Sequence, residues 1–384
     1  MNTSPLIALC AGEASGDLLG AHLIEAIRAR CPQARFTGIG GPRMQAAGLE
    51  SLFDQETLAV RGYVEVLKNL PAIWRIRKGL IAEMKRQRPD VFVGIDAPDF
   101  NLGVAATLKA AGIPTLHYVS PSVWAWRRER VHKIVQQADE VLCLFPMEPE
   151  LYRQAGGRAR FVGHPLAQTL PLEADRAAAR RELGLPEKQP VFALLTGSRV
   201  SEIDYMAPLF LQAAQLVRQQ IPEAQFLLPY ATEATRTRLQ SLLGAEPYCR
   251  LPLQLLPGGT AQACTAADAV LVTSGTATLE VALCKRPMVI SYKISPLTYA
   301  LVKHKIKVPY VGLPNVLLGR AAVPELLQHD AEPEKLAAAL LDWYRSPEKT
   351  AALQQDFTEL HHLLRKDTAA EAAAAVLAAA GATP

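Results

Sequence analysis

The sequence lacks the spacings of cysteine and histidine that bind structural metals or form disulfide frameworks. Its six cysteines include no CxxC pair, and its eight histidines include no HExxH pattern. Scattered cysteines of this kind are typical of a protein kept in a reducing compartment. We therefore expect no metal ion at the functional site and no other cofactor.

Long apolar runs are also absent. No segment approaches the roughly 20 apolar residues that a membrane-spanning helix needs. The apolar stretch near the start meets Glu13 and Asp17 almost at once and has no basic segment before it, which argues against a signal peptide. The alanine-rich segment 369–380 is too short to span a membrane and contains Glu371, so it predicts a surface or docking helix.

A strong charge imbalance is missing as well. The net charge is +4 over 384 residues, with 49% hydrophobic and 20% charged residues, which is typical of a globular chain with large cores. The length suits two domains of ordinary size. Aromatic and basic residues lie close together in segment 124–130, but no nucleic-acid-binding motif accompanies them. We expect no nucleic-acid partner.

Two segments of the chain share one pattern, an apolar run followed by small residues and then a helical segment. The first is the run 6–10 with the turn 11–17, and the second is the run 269–272 with the turn 273–280. The N–H groups and the dipole at such a helix start favour negatively charged ligand groups. Neither turn is a Walker loop or a GxGxxG loop, which argues against a nicotinamide dehydrogenase. The two turns suggest an enzyme that handles an activated, phosphorylated substrate.

Strand patterns alternate with helical patterns through both halves of the chain. This order is typical of parallel, doubly wound sheets, which bind ligands at the carboxyl ends of their strands. We predict an α/β protein with two Rossmann-like doubly wound parallel-sheet domains that face a central cleft, followed by C-terminal helices. The predicted parts are a first domain at 1–165, a linker at 166–189, a second domain at 190–345 and a helical tail at 346–384.

In the first half, the candidate functional residues follow two predicted strands. Asp96 comes directly after an apolar strand, and a carboxylate there can accept a proton from an attacking hydroxyl. The alternative is that Asp96 or Asp99 caps the next helix, and Asp99 is the better placed for that role. Glu13 and Ser15 suggest a polar pocket for a sugar or its phosphate. The alternative there is a plain turn in which Asp17 caps the helix.

In the second half, the candidates suit a nucleotide diphosphate. Arg199 keeps its charge and can contact two phosphate oxygens at once, and Ser198 lies beside it. A surface charge is the alternative for Arg199. A second set of candidates is the phosphate turn Ser274, Gly275 and Thr276, with Glu280 one helical turn further on. Glu280 is placed to reach ribose hydroxyls, the alternative being a solvated helix residue.

The segment 60–88 is both basic and apolar. Its apolar residues recur at helical spacing, and the ordinary interpretation is a core-facing helix with a basic solvent face. The alternative is a patch that rests on an anionic bilayer, where each basic residue contributes about 1 kcal/mol. The residues of this membrane patch are Val64, Val66, Leu67, Leu70, Ile73 and Trp74. A second basic cluster at 303–307 either extends the patch or holds a substrate phosphate.

Eight segments in chain order resemble the lipid-A-disaccharide synthase family. The two most specific are Gly-Glu-Ala-Ser-Gly-Asp at 12–17 and Ser-Pro-Ser-Val-Trp-Ala-Trp at 120–126. The others are 38–42, 95–101, 161–165, 197–199, 273–280 and 311–315. The resemblance implies a metal-independent glycosyltransferase of the B-type fold (GT-B), acting in lipopolysaccharide synthesis. Other UDP-N-acetylglucosamine-using proteins of this type share the second-half turn but are not expected to carry these two loops.

The resemblance also implies the reaction and its setting. Enzymes of the family transfer 2,3-diacylglucosamine from UDP-2,3-diacylglucosamine to 2,3-diacylglucosamine 1-phosphate, releasing UDP and forming a β(1→6) disaccharide with inversion. They are peripheral to the cytoplasmic face of the inner membrane and form a homodimer with exchanged C-terminal parts. We expect Asp96 to be the base, Arg199 and the phosphate turn to bind the diphosphate, and Glu13, Ser15 and Asn315 to line the sugar sites. A non-catalytic nucleotide-sugar sensor is the alternative from another class.

Overall fold

The chain folds into two compact units. The computed structural model describes residues 4–58, 63–126, 128–295, 299 and 308–382, without the side chains of 63–68 and 126. The first unit combines residues 1–168 with 364–384, and the second consists of residues 169–363. Each unit is a parallel sheet covered by helices.

The first unit contains a seven-stranded sheet. Its strands are β1 (Leu6–Ala11), β2 (Arg35–Ile39), β3 (Leu49–Ser51), β4 (Val91–Ile95), β5 (Thr115–Tyr118), β6 (Glu140–Cys143) and β7 (Arg158–Phe161). Its helices are α1 (Ala14–Arg30), α2 (Pro42–Ala47), α3 (Tyr63–Gln87), α4 (Pro98–Lys109), α5 (Val123–Trp126), α6 (Arg130–Gln137), α7 (Glu148–Gln154) and α8 (Pro165–Thr169), the last of which crosses the unit boundary.

The second unit contains a six-stranded sheet. Its strands are β8 (Val191–Leu195), β9 (Gln225–Tyr230), β10 (Leu253–Pro257), β11 (Ala269–Thr273), β12 (Met288–Tyr292) and β13 (Glu325–Leu327). Its helices are α9 (Arg176–Glu182), α10 (Val200–Gln220), α11 (Glu233–Leu243), α12 (Thr260–Ala266), α13 (Thr276–Leu283), α14 (Leu313–Leu318), α15 (Pro333–Arg345) and α16 (Pro347–Leu364). The final helix, α17 (Thr368–Ala379), belongs to the first unit.

Both sheets have the doubly wound strand order that the alternation predicts. The first runs β3-β2-β1-β4-β5-β6-β7 and the second β10-β9-β8-β11-β12-β13, with every pair parallel. The central strands are apolar throughout because helices cover both faces. The order reverses between β1 and β4 in the first sheet and between β8 and β11 in the second, which is where such sheets bind ligands.

The segment 166–189 does not form a free linker. Arg180, on α9, is almost completely buried and donates hydrogen bonds to the Asp268 carboxylate at 3.0 Å and to the Ala266 carbonyl at 2.9 Å. Asp268 also accepts from the Val191 N–H at 2.9 Å, at the start of the central strand β8. These bonds fasten α9 to the second unit, so the linker segment from residue 169 onward belongs to that unit.

The tail 346–384 divides between the two units. Leu353 and Phe357 of α16 pack into the core of the second unit. The alanine-rich helix α17 packs against α1, with Ala372 and Val376 buried in the core of the first unit. Small alanine side chains allow this close approach, and the Asp367 carboxylate caps the helix by accepting from the Ala370 N–H at 3.0 Å.

Candidate functional site

The first unit brings Asp96 and Glu13 together at its switch point. They follow β4 and β1, the two strands between which the order reverses. Asp96 and Ala97 adopt left-handed backbone angles, with φ of 51° and 42°. Non-glycine residues rarely adopt this conformation, and where they do it is often at functional sites. The Asp96 N–H donates to the Tyr118 carbonyl at 2.8 Å, which ties the turn to the neighbouring strand.

The Asn101 side chain stabilises this turn by hydrogen bonds to its backbone. It is fully buried, and its Nδ2 lies 2.9 Å from the Asp96 carbonyl oxygen and 3.2 Å from the Ile95 carbonyl oxygen. These contacts place the amide directly under the carboxyl end of β4. The Asp96 carboxyl therefore belongs to a turn whose backbone is held by hydrogen bonds with Asn101 and Tyr118.

The surroundings of Asp96 favour its protonated form more than water does. Burial raises the pKa of Asp96, a hydrogen bond from the Ala97 N–H opposes that effect, and the charge of Glu13 raises the pKa further. A carboxylate with a raised pKa is a better proton acceptor once ionised. The geometry therefore suits Asp96 to general-base chemistry, the role that the sequence suggests.

Neither Asp99 nor Asp17 caps the helix that contains it. Helix α4 begins at Pro98 with Ala97 at its N-cap and no side-chain cap, while Asp99 is exposed and pairs with Arg130 at 2.9 Å. Asp17 does act as a cap, but for α2 and not for its own helix. Its buried carboxylate accepts from the Arg43 N–H at 3.1 Å and the Met44 N–H at 3.0 Å.

Ser15 is exposed in the first turn of α1, close along the chain to Glu13. Gln55 supports the turn before it, since its Nε2 donates to the carbonyl oxygens of Ala11 at 3.1 Å and Glu13 at 3.0 Å. The sugar-binding roles of Glu13 and Ser15 stay predictions. Gln55 has no motif of its own, and its contribution could be found only from the fold.

The second unit contains a cavity of about 480 Å³ at its own switch point. It is lined by six of the residues that the sequence singles out: Ser198, Arg199, Ser274, Gly275, Thr276 and Glu280. Further lining residues that the sequence did not indicate include Glu202, Tyr230 and Thr260. Residues from the ends of β8 and β11 thus line one cavity, as the doubly wound order requires.

Glu202 shapes the turn that carries Arg199. Its Oε2 accepts from the Ser198 N–H at 2.9 Å and the Arg199 N–H at 3.3 Å. Gly197 has φ of 108°, and a Cβ there would lie 2.6 Å from the same oxygen, so the turn requires glycine. The signal that reveals Glu202 is its position three residues after Arg199, the spacing of a capping box. The Arg199 side chain is 72% exposed, and its guanidinium lies 4.0 Å from the Glu202 carboxylate.

The start of α13 forms the other wall of the cavity. The first N–H groups of a helix have no acceptor within the helix, and they carry the positive end of its dipole. Gly275 is exposed with φ of 155° and lets the chain turn sharply into the helix. Ser274 is fixed by its N–H, which donates to the Ser291 carbonyl at 3.1 Å. This arrangement is suited to an anionic group such as a diphosphate.

Glu280 lies one helical turn deeper in the same cavity. Burial raises its pKa, and the N–H of Ala261 opposes the shift. A half-buried carboxylate at this depth can accept hydrogen bonds from sugar hydroxyls. Within the described residues, no group of three or more His, Cys, Asp and Glu side chains is arranged to hold a metal ion.

Asn315, predicted to line a sugar site, makes hydrogen bonds within the protein. Its side chain is fully buried, with Nδ2 donating to the Val323 carbonyl at 2.9 Å and Oδ1 accepting from the Val323 N–H at 2.9 Å. Nδ2 also donates to Glu325 at 2.8 Å. Because the amide is used internally, Asn315 holds a loop in place and is not among the residues that line the cavity.

The loop that begins at Ser120 lies beside the buried carboxyl group of Glu148. Val119, a β-branched residue, has φ of 79°, which is unusual. The Ser120 Oγ lies 2.8 Å from the Tyr152 hydroxyl, and Glu148 accepts from the Phe145 N–H at 3.1 Å. Burial raises the pKa of Glu148 to about 8, although the N–H of Phe145 and the hydroxyl of Ser120 lower it. At neutral pH this carboxyl is therefore mostly protonated.

Glu148 is expected to make the stability of the protein fall as pH rises. Between its ordinary pKa of 4.5 and about 8, the folded state keeps a proton that the unfolded state releases. The contribution of Glu148 to the free energy of unfolding therefore falls by about 1.4 kcal/mol per pH unit in this window. Glu148→Gln should remove this loss, so its Tm relative to the natural protein should be higher at pH 8 than at pH 5. Calorimetry at both pH values measures this, with the exposed Glu150→Gln as control. A Tm difference that does not change with pH would contradict the assignment.

The described part of the membrane patch presents apolar side chains to solvent. Leu70 is 45% exposed and Trp74, one helical turn further on, is 59% exposed. The Lys78 ammonium lies 3.9 Å from the Trp74 ring centroid, and Ile73 is partly buried. The side chains of Val64, Val66 and Leu67, and the basic cluster 303–307, lie outside the described residues. None of the described helices has both the length and the apolar character needed to cross a membrane.

Comparison with known proteins places this chain in a family. The family model described as "Lipid-A-disaccharide synthetase" matches residues 7–378. The lipid-A-disaccharide synthase of Neisseria meningitidis serogroup A is 70% identical over 378 residues, which cover 98% of each chain. That of Chromobacterium violaceum is 59% identical over 97% of this chain and 96% of its own.

Solved structures share the architecture at low sequence identity. Anabaena HepE in complex with UDP-glucose has a TM-score of 0.56 at 17% identity, covering 97% of this chain and 99% of its own. Acinetobacter baumannii MurG has a TM-score of 0.54 at 16% identity, covering 94% and 99%. These likenesses establish the B-type glycosyltransferase fold that the resemblance implies. With its two parallel α/β units and a family match that runs from β1 into α17, the chain belongs to the lipid-A-disaccharide synthetase family.

Proposed function

We propose that the chain transfers 2,3-diacylglucosamine from UDP-2,3-diacylglucosamine to the 6-hydroxyl of 2,3-diacylglucosamine 1-phosphate. The products are UDP and a β(1→6)-linked tetraacyl disaccharide 1-phosphate, formed with inversion at the anomeric carbon. The observation that carries this proposal is the cavity of the second unit, where a guanidinium, a helix start and a half-buried carboxyl lie together. Membership of the family supports the choice of acyl sugars as donor and acceptor.

The donor's diphosphate is assigned to Arg199 and to the start of α13. A guanidinium matches two phosphate oxygens, and the N–H groups of Gly275 and Thr276 add donors of fixed direction. As the bond to the anomeric carbon breaks, negative charge grows on the leaving UDP, and the same groups stabilise it without a metal. Glu280 accepts hydrogen bonds from the ribose, and Ser198 adds a hydroxyl to the phosphate site.

The acceptor is assigned to the switch point of the first unit. Asp96 takes the proton from the 6-hydroxyl as that oxygen attacks, and Glu13 and Ser15 bind sugar hydroxyls. The raised pKa of Asp96 supports this role, because a stronger base removes the proton more readily. The buried Asn101 amide keeps the Asp96 turn in its left-handed conformation. The reaction requires the hydroxyl held at Asp96 to reach the donor carbon held in the cavity.

The proposed activity is tested by incubating the purified protein with both acylated substrates in the presence of EDTA. Formation of UDP and of a disaccharide whose anomeric proton has the coupling of a β linkage supports the proposal. UDP release without disaccharide, or binding of the UDP-sugar with no product, would contradict it, and binding alone would favour a nucleotide-sugar sensor. A product formed from UDP-N-acetylglucosamine but not from the acylated donor would favour a different sugar transferase.

We also propose that the protein docks on the cytoplasmic face of the inner membrane through α3. Both substrates carry acyl chains that do not leave a bilayer readily, so a peripheral enzyme needs a surface that contacts lipid. Exposed Leu70 and Trp74 with basic neighbours have the composition of such a surface. A homodimer with exchanged C-terminal parts is part of the same proposal, since α17 could make its contacts with α1 of a partner. Light scattering of the purified protein tests that assembly.

Replacing Leu70 and Trp74 by Ser should weaken binding to vesicles that contain anionic phospholipid. About half of each side chain is exposed, so Tm should fall only modestly. The loss of apolar contact with lipid should lower the partition coefficient about tenfold or more. Vesicle cosedimentation measures the change. Leu363→Ser, which removes a leucine of similar exposure from the second unit, is the control. Equal binding of the natural protein and the double variant would show that the contact surface lies elsewhere.

A further inference from the structure

Glu325 is a carboxylate that belongs to none of the motifs and does not line the cavity. It lies on the edge strand β13. Its Oε2 accepts from the Val311 N–H at 2.9 Å, and its Oε1 accepts from the Gly312 N–H at 3.0 Å and from Asn315 Nδ2 at 2.8 Å. One carboxylate thus accepts hydrogen bonds from three donors, two in the segment that leads into α14 and one in its first turn. Hydrogen bonds to an ionised group are the stronger kind, so this segment is firmly held.

The same segment is pressed against the sheet. A Cβ at Gly312 would lie 2.2 Å from Ile290 Cδ1 and 3.1 Å from Glu325 Oε1. Any larger residue at this position would therefore displace the end of the Ile290 side chain, which lies on β12. The Asn315 amide cannot turn over to compensate for a change at Glu325, because its two ends already bond both backbone groups of Val323.

The segment bound by Glu325 is also hydrogen-bonded to the phosphate turn, through Val311. The Ser274 Oγ donates to the Val311 carbonyl oxygen at 3.3 Å, while the Ser274 N–H donates to the Ser291 carbonyl at 3.1 Å. Ser274 is therefore fixed from two directions. The residue after it, Gly275, opens α13 and faces the cavity.

We propose that Glu325 is a positioning residue for the donor diphosphate, acting through the Val311 backbone on Ser274 and the start of α13. The inference rests on the proposed function, in which this turn binds UDP. Glu325 itself touches no substrate. Its effect is to hold the N–H groups of the turn where the phosphate oxygens will lie, so that little ordering is left to occur on binding.

Glu325→Gln is the direct test. The amide has one acceptor oxygen in place of two, so at least one of the three donors loses its partner. Calorimetry at a temperature where the variant is folded should show UDP binding weakened about tenfold. The KM for the donor should rise while the KM for the acceptor stays near that of the natural protein. Glu223→Gln, an exposed change beside the amino end of β9, should alter UDP affinity by less than about twofold.

A double-mutant cycle distinguishes an effect that passes through Val311 and Ser274 from a general loss of order in the second unit. Glu325→Gln and Ser274→Ala should weaken UDP binding less together than the sum of their separate effects, because they interrupt one chain of contacts. Glu325→Gln and Arg199→Ala should be additive, because the Arg199 turn is held separately by Glu202. UDP affinity unchanged by Glu325→Gln, or additivity with Ser274→Ala, would overturn the inference.

Hydrogen exchange of the natural protein provides a measurement that needs no folded variant. Saturating UDP should slow amide exchange in a peptide covering 308–316 as well as in one covering 273–280. Protection of 273–280 alone would overturn the role of Glu325 while leaving the phosphate site in place. If neither peptide is protected and Arg199→Ala binds UDP normally, it is the proposed donor site that fails.

Discussion

Replacing Asp96 by Asn is expected to lower kcat by about 10²–10⁴-fold while UDP affinity stays unchanged. Asparagine keeps the size and most hydrogen bonds of the carboxyl but cannot take the proton from the acceptor hydroxyl. We assign the donor site to the cavity of the other unit, so its affinity for UDP should not depend on this change. Steady-state kinetics with both acylated substrates and calorimetry with UDP measure the two effects.

The pH dependence of the same enzyme gives an independent check on Asp96. Burial and the charge of Glu13 raise its pKa, so the acid limb of kcat/KM should lie at a higher pH than for an ordinary aspartate. In Asp96→Asn this limb should disappear. Asp99→Asn is a matched control, since Asp99 is exposed, three residues away and paired with Arg130. Normal turnover in Asp96→Asn would remove Asp96 from the mechanism.

The architecture was largely predictable because both sheets are built from strands buried on both faces. Such strands are continuous apolar runs, and the central runs such as Val91–Ile95 and Val191–Leu195 appear clearly in the sequence. The edge strands β3 (Leu49–Ser51) and β13 (Glu325–Leu327) were not predicted. Each is three residues long and includes a glutamate, so no apolar run marks it.

The cavity of the second unit was predictable for a related reason. Its residues follow strands β8 and β11, and a doubly wound order brings the ends of those two strands together. Glu202 and Glu325 support the cavity from outside the motifs. Glu202 has one sequence signal, its capping-box spacing from Arg199. Glu325 has none, because two of its three contacts are with backbone N–H groups, which have no sequence signature of their own.

Asn315 is a motif residue whose amide is hydrogen-bonded within the protein, and its place at a sugar site stays a prediction. Polar residues in a loop can serve the backbone as readily as a substrate, and only burial and hydrogen-bond partners distinguish the two. Here both ends of the amide bond to Val323. The left-handed turn at Asp96 was equally hidden, because a proline two residues later restricts Ala97 without determining the sign of φ.

Replacing Arg199 by Ala should weaken UDP binding by roughly 10–150-fold, the equivalent of a charge-assisted hydrogen bond of about 1.5–3 kcal/mol. The side chain is 72% exposed and lies 4.0 Å from Glu202, so its removal should leave Tm nearly unchanged. Arg199→Lys keeps the charge but loses the bidentate geometry, and an intermediate loss is expected. Arg218→Ala, near the far end of α10, controls for the loss of a positive charge. UDP affinity equal to that of the natural protein would exclude Arg199 from the diphosphate site.

The kinetic constants of Arg199→Ala show whether the guanidinium binds mainly the ground-state donor or the transition state. If it binds the ground-state diphosphate and the leaving UDP equally, the donor KM rises and kcat is unchanged. If its contact strengthens as charge develops on the departing phosphate, kcat falls as well. We expect the second pattern, because charge accumulates on the β-phosphate only during bond cleavage, and Arg199 is the one described arginine among the residues that line this cavity.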